Sequence, residues 1–61
     1  EDQLASAGAI EAYEAALRLD PDLAVAHFNL SRLFEADGRQ TDALAHLAKY
    51  KKILDRGGLG A

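Results

Sequence analysis

Apolar side chains recur at intervals of three and four over three stretches of the chain, and a helix-breaking residue separates each stretch from the next. In the first, over residues 9–19, Ile10, Tyr13, Ala16 and Leu17 fall on one face of a run of strong helix formers. Ser6 and Gly8 weaken the residues before it, so the helix is expected to begin between Asp2 and Ala7. Pro21, the sole proline, ends it: the ring disfavours the α-conformation at Asp20 and offers no amide to a helical hydrogen bond. Asp22 is then placed to cap a second helix with Leu23, Ala26, Leu30, Leu33 and Phe34 on its inner face.

Gly38 predicts the end of that helix, in the left-handed conformation that closes a C-terminus at low steric cost. Thr41 is the expected cap of a third helix, with Asp42 favourably placed in its first turn. Ala43, Leu44, Leu47, Tyr50, Ile53 and Leu54 are its expected inner face, and Lys49, Lys51, Lys52 and Arg56 gather toward its negative end. The closing Gly-Gly-Leu-Gly-Ala has no pattern to hold it and reads as frayed. The pattern thus predicts an all-α chain of three helices with no strand. Both connections are short, which makes neighbouring helices antiparallel.

Composition sharpens this picture in one respect. Of 61 residues 49% are hydrophobic, but 13 are alanine, so the core cannot be thick. Small residues let helix axes approach toward the close end of the roughly 8–10 Å packing range, which implies thin layers of stacked helices. A chain this short draws only about 3–5 kcal/mol from its core unless it is stapled or assembled. With no cysteine, disulfides and thiolate metal sites are excluded, and a cytoplasmic setting is the simplest expectation. No apolar run approaches the roughly 20 residues that span a bilayer and none resembles a signal peptide, so no membrane partner is expected. The net charge of −3 argues against a general nucleic-acid surface. The chain begins at Glu1, which suggests a fragment or processed chain.

Placed on these helices, the residues resemble the tetratricopeptide repeat family. That repeat is about 34 residues long, with a Trp-x2-Leu-Gly-x2-Tyr segment, then Ala-x3-Phe, then proline. Here His27-x2-Leu30-Ser31-x2-Phe34 stands at the first segment, Gly38 falls in the turn, and Ala43-x3-Leu47 follows. Upstream, Ala9-x3-Tyr13-x2-Ala16 and Pro21 match the second half of a preceding repeat; Ala9 and Ala43 are 34 residues apart. The resemblance implies that residues 9–21 are the second helix of a partial repeat and residues 22–55 one full repeat. Residues 1–8 are left as an extension or helix start and 56–61 as a flexible tail. His27 replaces the usual tryptophan, Ser31 a smaller residue, and Asp55 the second proline. Tyr50 stands where the family has a small alanine, which counts against a standard following repeat and makes this the last one of a short array.

A repeat of this kind buries its faces only by stacking on neighbours. The expected function is therefore protein–protein interaction, with a protein or peptide partner or a second copy of the chain. The family's ligand face is the first helix of each repeat, which nominates Val25, Phe28, Asn29 and Arg32, and less firmly Glu35. Phe28 either opens onto a groove, meets a second copy, or packs under the first helix. The competing class is a purely structural self-association module. A three-helix DNA reader is the further alternative, opposed by the acidic and apolar start of its third helix, Thr41 to His46.

Candidate chemistry is sparse. His27 and His46 are the two histidines, on different helices, and no His-x3-His or His-Glu-x2-His spacing is present. His27 is expected to fill the tryptophan-like slot and His46 to lie on the surface, with no metal bound. Ser31 reads as a small contact residue and Thr41 as a cap, not as nucleophiles. The Gly57-Gly58-x-Gly60 run follows a helix and lacks the lysine of a phosphate loop. Neither a cofactor nor enzyme activity is expected.

Overall fold

The computed structural model describes residues 2–57, and three helices account for nearly all of them: α1 (Asp2–Leu19), α2 (Ala24–Ala36) and α3 (Gln40–Gly57). No strand occurs among the described residues. Helix α2 packs on both neighbours, more extensively on α3, and among the described residues α1 and α3 do not pack on each other. The Cα envelope of 42 × 22 × 13 Å is one helix layer thick, as the alanine-rich faces predict.

The core is correspondingly small. Ile10 from α1, Leu30 and Phe34 from α2 and Ala43 from α3 are buried, with Tyr13, Leu17 and Leu33 packed against them. Leu30 and Phe34 are the largest side chains removed almost completely from water. Each contributes about 1.5–3 kcal/mol through the apolar surface it buries. Ala26 is also fully buried, and Ser31 is buried with its hydroxyl donating to the Phe28 carbonyl at 2.7 Å.

Three helices form where expected, with α1 starting at the early limit, but two expected caps do not hold. The N-cap of α2 is Leu23, which makes no side-chain capping bond. Asp22 instead donates its amide to the Asp20 carboxylate at 3.3 Å and pairs its own carboxylate with Arg56 at 3.0 Å. Proline imposes this: Asp20 is pushed out of the helix and folds its side chain back over the turn, as aspartates do ahead of their own backbone. Thr41 is likewise not a cap. Helix α3 begins one residue earlier, at Gln40, and the Arg39 carbonyl receives the Ala43 amide. Asp42 keeps its first-turn position and binds the Arg39 guanidinium at 2.9 Å.

Gly38 behaves as predicted, with φ +80°. The Arg39 amide returns to the Phe34 carbonyl at 2.8 Å and the Gly38 amide to the Glu35 carbonyl at 3.1 Å. These two bonds are the paired closure of a Schellman turn.

The inner face of α3 is narrower than its periodicity suggests. Ala43 is buried and Leu47, Tyr50 and Ile53 are half-buried, whereas Leu44 is 65% exposed and Leu54 46%. Helix α3 has only α2 to lean on, so the flank of its apolar stripe that faces away from α2 stays open. Arg56 and Gly57, read from the sequence as tail, continue α3; the remaining tail residues, 58–61, lie outside the described residues, as does residue 1.

Candidate interaction surface

The four residues nominated on α2 do not behave alike. Phe28 is half-buried, and its ring tilts against Tyr50 of α3, with centroids 5.0 Å apart. The Arg32 guanidinium lies 5.9 Å from the Phe28 centroid, within cation–π range. Asn29 and Arg32 also border a crevice of about 230 Å³ whose other walls are Ala9 and Tyr13 of α1 and Leu33. Val25 is 56% exposed and borders neither feature.

Arg32 thus joins two features into one strip, Tyr13–Arg32–Phe28–Tyr50, that crosses all three helices. The antiparallel hairpin explains half of it: Phe28 and Tyr50 stand equally far either side of residue 39, so folding at Gly38 brings them level. That mirror relation was the available signal for Tyr50. Tyr13 had been assigned to core packing alone, yet it serves both the core and the crevice.

A second crevice, of about 170 Å³, opens between α2 and α3 and is bordered by Ser31, Glu35, Gln40, Ala43, Leu44 and Leu47. It is the open edge of the layer and includes the exposed Leu44.

The histidines correct another expectation. His27 is buried, as expected, but His46, expected on the surface, is half-buried. Its ring stacks on Phe34 at 5.5 Å, and its Nδ1 lies 3.0 Å from His27 Nδ1. His27 Nε2 lies 2.9 Å from the Pro21 carbonyl. Burial first, and the neighbouring His27 second, hold His46 below the ordinary histidine value, while Glu14 and Asp42 pull the other way. Among the described residues no group of three or more histidines, cysteines or carboxylates could hold a metal ion, and no helix is long and apolar enough to cross a membrane.

The fold defines a class: an all-α layer of helices, each packed on the next through short turns. Residues 7–38 match the family model of the TPR repeat, covering most of α1, the proline turn and α2 to its closing glycine. The chain belongs to the tetratricopeptide repeat family, a non-catalytic repeat module that generally mediates protein–protein interaction. No curated protein and no solved structure matches it significantly.

Proposed function

We propose that the chain is a protein-binding module whose partner, a protein or peptide segment, lies along the Tyr13–Arg32–Phe28–Tyr50 strip. The observation that carries this is the strip itself: Tyr50 against Phe28, Arg32 near the Phe28 ring, and Arg32 with Tyr13 bordering one crevice. Aromatic residues and arginine are the types enriched where interfaces concentrate their energy, because they offer large contact area with a polar handle. The partner would lay an apolar side chain against Phe28 and direct an acceptor group toward Arg32 and Asn29. Residues 9–55 form this unit, with residues 22–55 as its full repeat; it needs no cofactor, performs no catalysis and works in the cytoplasm.

The test is selection of binding peptides by display against the intact domain, followed by titration into variants. Phe28→Ala and Arg32→Ala should each weaken a selected peptide by about tenfold or more. Peptides that bind both variants undiminished would remove the strip from the interface.

Self-association is the second reading, supported by a different observation. Leu44 is 65% exposed beside the α2–α3 crevice and Leu54 is 46% exposed on the same helix, an apolar edge suited to a copy of the chain or a further repeat. Sedimentation with Leu44→Asp separates the readings: a mass that falls with concentration in the parent chain, but not in the variant, assigns the edge to assembly. The DNA-reader alternative has less support, since Asp42 engages Arg39 and Arg56 engages Asp22.

A further inference from the structure

Two polar ties reach the turn between α1 and α2 from α3. One is the Arg56–Asp22 ion pair. The other runs through two rings: His46 Nδ1 is 3.0 Å from His27 Nδ1, and His27 Nε2 is 2.9 Å from the Pro21 carbonyl. A carbonyl only accepts, so His27 Nε2 carries a hydrogen and donates it to Pro21. Neutral His27 then presents a bare Nδ1, and His46 donates to it from its own Nδ1–H. Both tautomers are fixed, and the bonds run from α3 through α2 to the turn.

The two nitrogens aim at one another. The 5.2 Å between ring centroids exceeds the 3.0 Å between nitrogens by two ring radii, so the nitrogens lie nearly on the line joining the rings. That is head-on hydrogen-bond geometry; lone pairs converging on a shared metal ion would bring the rings closer together at this nitrogen spacing.

Such a pair accommodates one added proton. Either ring as imidazolium donates from Nδ1 to the bare Nδ1 of the other, and a charge-assisted bond of this kind is stronger than the neutral one. A second proton leaves no acceptor. Two N–H groups and two like charges then confront each other across 3.0 Å, on a ring, His27, that is only 7% exposed. The charged groups around the pair come from every neighbouring element. Glu14 faces His46 from α1 and Asp42 from its own helix, while Arg39 lies 4.4 Å from the Phe34 ring on which His46 stacks. The Asp22–Arg56 pair flanks the turn.

We propose that the His46–His27–Pro21 chain is an acid-sensitive latch: with at most one added proton it ties the α1–α2 turn to α3, and on double protonation the bond between the two Nδ1 atoms opens, so that the turn, still bonded to His27, loses this tie to α3. The sign follows from proton counting. Below the ordinary histidine value of about 6.5 the unfolded chain binds a proton at each ring, whereas the folded pair resists the second. Stability is therefore full above that value and falls as the pH drops below it. The apparent steps belong to the pair and not to either ring.

Ring nitrogen resonances followed by NMR in the wild-type chain, with thermal melts alongside, provide the test. At about pH 7.5 His46 should be the Nδ1–H tautomer and His27 the Nε2–H tautomer, and the rings should titrate in two separated steps, the second below the ordinary histidine range. The Asp20 to Leu23 amide signals should shift with the second step. Melting should fall by about 4–8 °C between about pH 7.5 and about pH 5. His46→Phe keeps a ring on Phe34 and keeps Glu14 and Asp42, and should lose at least half of that fall. Independent, ordinary titration of the two rings overturns the latch. So does a His46→Phe melt that keeps the whole pH dependence, because the carboxylates would then account for it. If the variant does not fold, the wild-type tautomers and titration steps decide alone.

Discussion

The two turns of this chain reverse its direction equally well by opposite means. At Gly38 the backbone closes itself: one residue at φ +80° allows the Gly38 and Arg39 amides to return to α2 carbonyls, and no side chain is required. At Asp20-Pro21-Asp22 the backbone supplies less, chiefly the Leu23 amide to the Asp20 carbonyl at 3.1 Å. The rest is side-chain work: nearby, the Asp20 carboxylate on the Asp22 amide and His27 on the Pro21 carbonyl, and from the end of α3, Arg56 on the Asp22 carboxylate. The first turn is local and the second is tertiary.

This difference divides the molecule. The α2–α3 hairpin has the broader packing and a self-sufficient turn, while α1 joins through a narrower contact and a turn that α3 helps to hold. Residues of the proposed binding strip lie on both sides of that division. Tyr13 belongs to α1, whereas Phe28, Arg32 and Tyr50 belong to the hairpin. Loosening the proline turn would therefore open the Tyr13 side of the crevice and leave the Phe28–Tyr50 contact in place.

The variant expected to act most strongly removes what both halves share. Phe34 is buried at 2% exposure, carries the stacked His46 and Arg39 groups, and lies in the core with Ile10 of α1. Phe34→Ala should cost about 3–5 kcal/mol. A domain of this size has about that much in total, so circular dichroism should show no cooperative melt. A cooperative melt near that of the parent chain would mean that the two halves do not depend on a common core.

Gly38→Ala comes next and addresses the local turn alone. An added Cβ at Gly38 would meet no atom within 4 Å, so crowding contributes nothing and the whole cost is the left-handed backbone. That cost is about 1–2 kcal/mol. Gly38→Asn should recover much of it, since asparagine tolerates this conformation better. Equal melting temperatures for the alanine variant and the parent chain would refute the claim that this turn rests on one φ angle.

How legible these regions were follows the same division. Helix positions, the glycine turn and the Leu30–Phe34 core depend on neighbours in sequence, and periodicity and propensity were enough to place them. The cap at Asp22 failed because Arg56 engages its carboxylate, and that at Thr41 because the helix already begins at Gln40, which places Thr41 inside its first turn. Leu44 and Leu54 have core spacing but no neighbouring helix to cover them, which a periodic pattern does not report. His46 was misjudged for a related reason. Its partner His27 lies across the hairpin, nineteen residues away and off the mirror relation that pairs Phe28 with Tyr50, so neither periodicity nor the turn position connects the two rings. Of the four nominated surface residues, Phe28, Asn29 and Arg32 converge and Val25 does not.

The smallest effect sharpens the comparison at the tertiary turn. Asp22→Asn removes the ion pair with Arg56 but keeps the Asp22 amide on Asp20 and leaves the His27 bond to Pro21 untouched. Both charged side chains are more than half exposed, at 58% and 62%, so the pair is well screened. Its loss should cost about 0–1 kcal/mol and less still in concentrated salt. The comparison with the parent chain is best made by thermal melts at low and high ionic strength. If the variant lost far more than this at both, Arg56 and Asp22 would be a main support of the α1–α2 junction, and the histidine chain would be secondary. A small, salt-sensitive loss leaves the buried rings as the principal polar tie between α3 and the turn, because a bond between half-buried groups is neither screened by ions nor replaced cheaply by water.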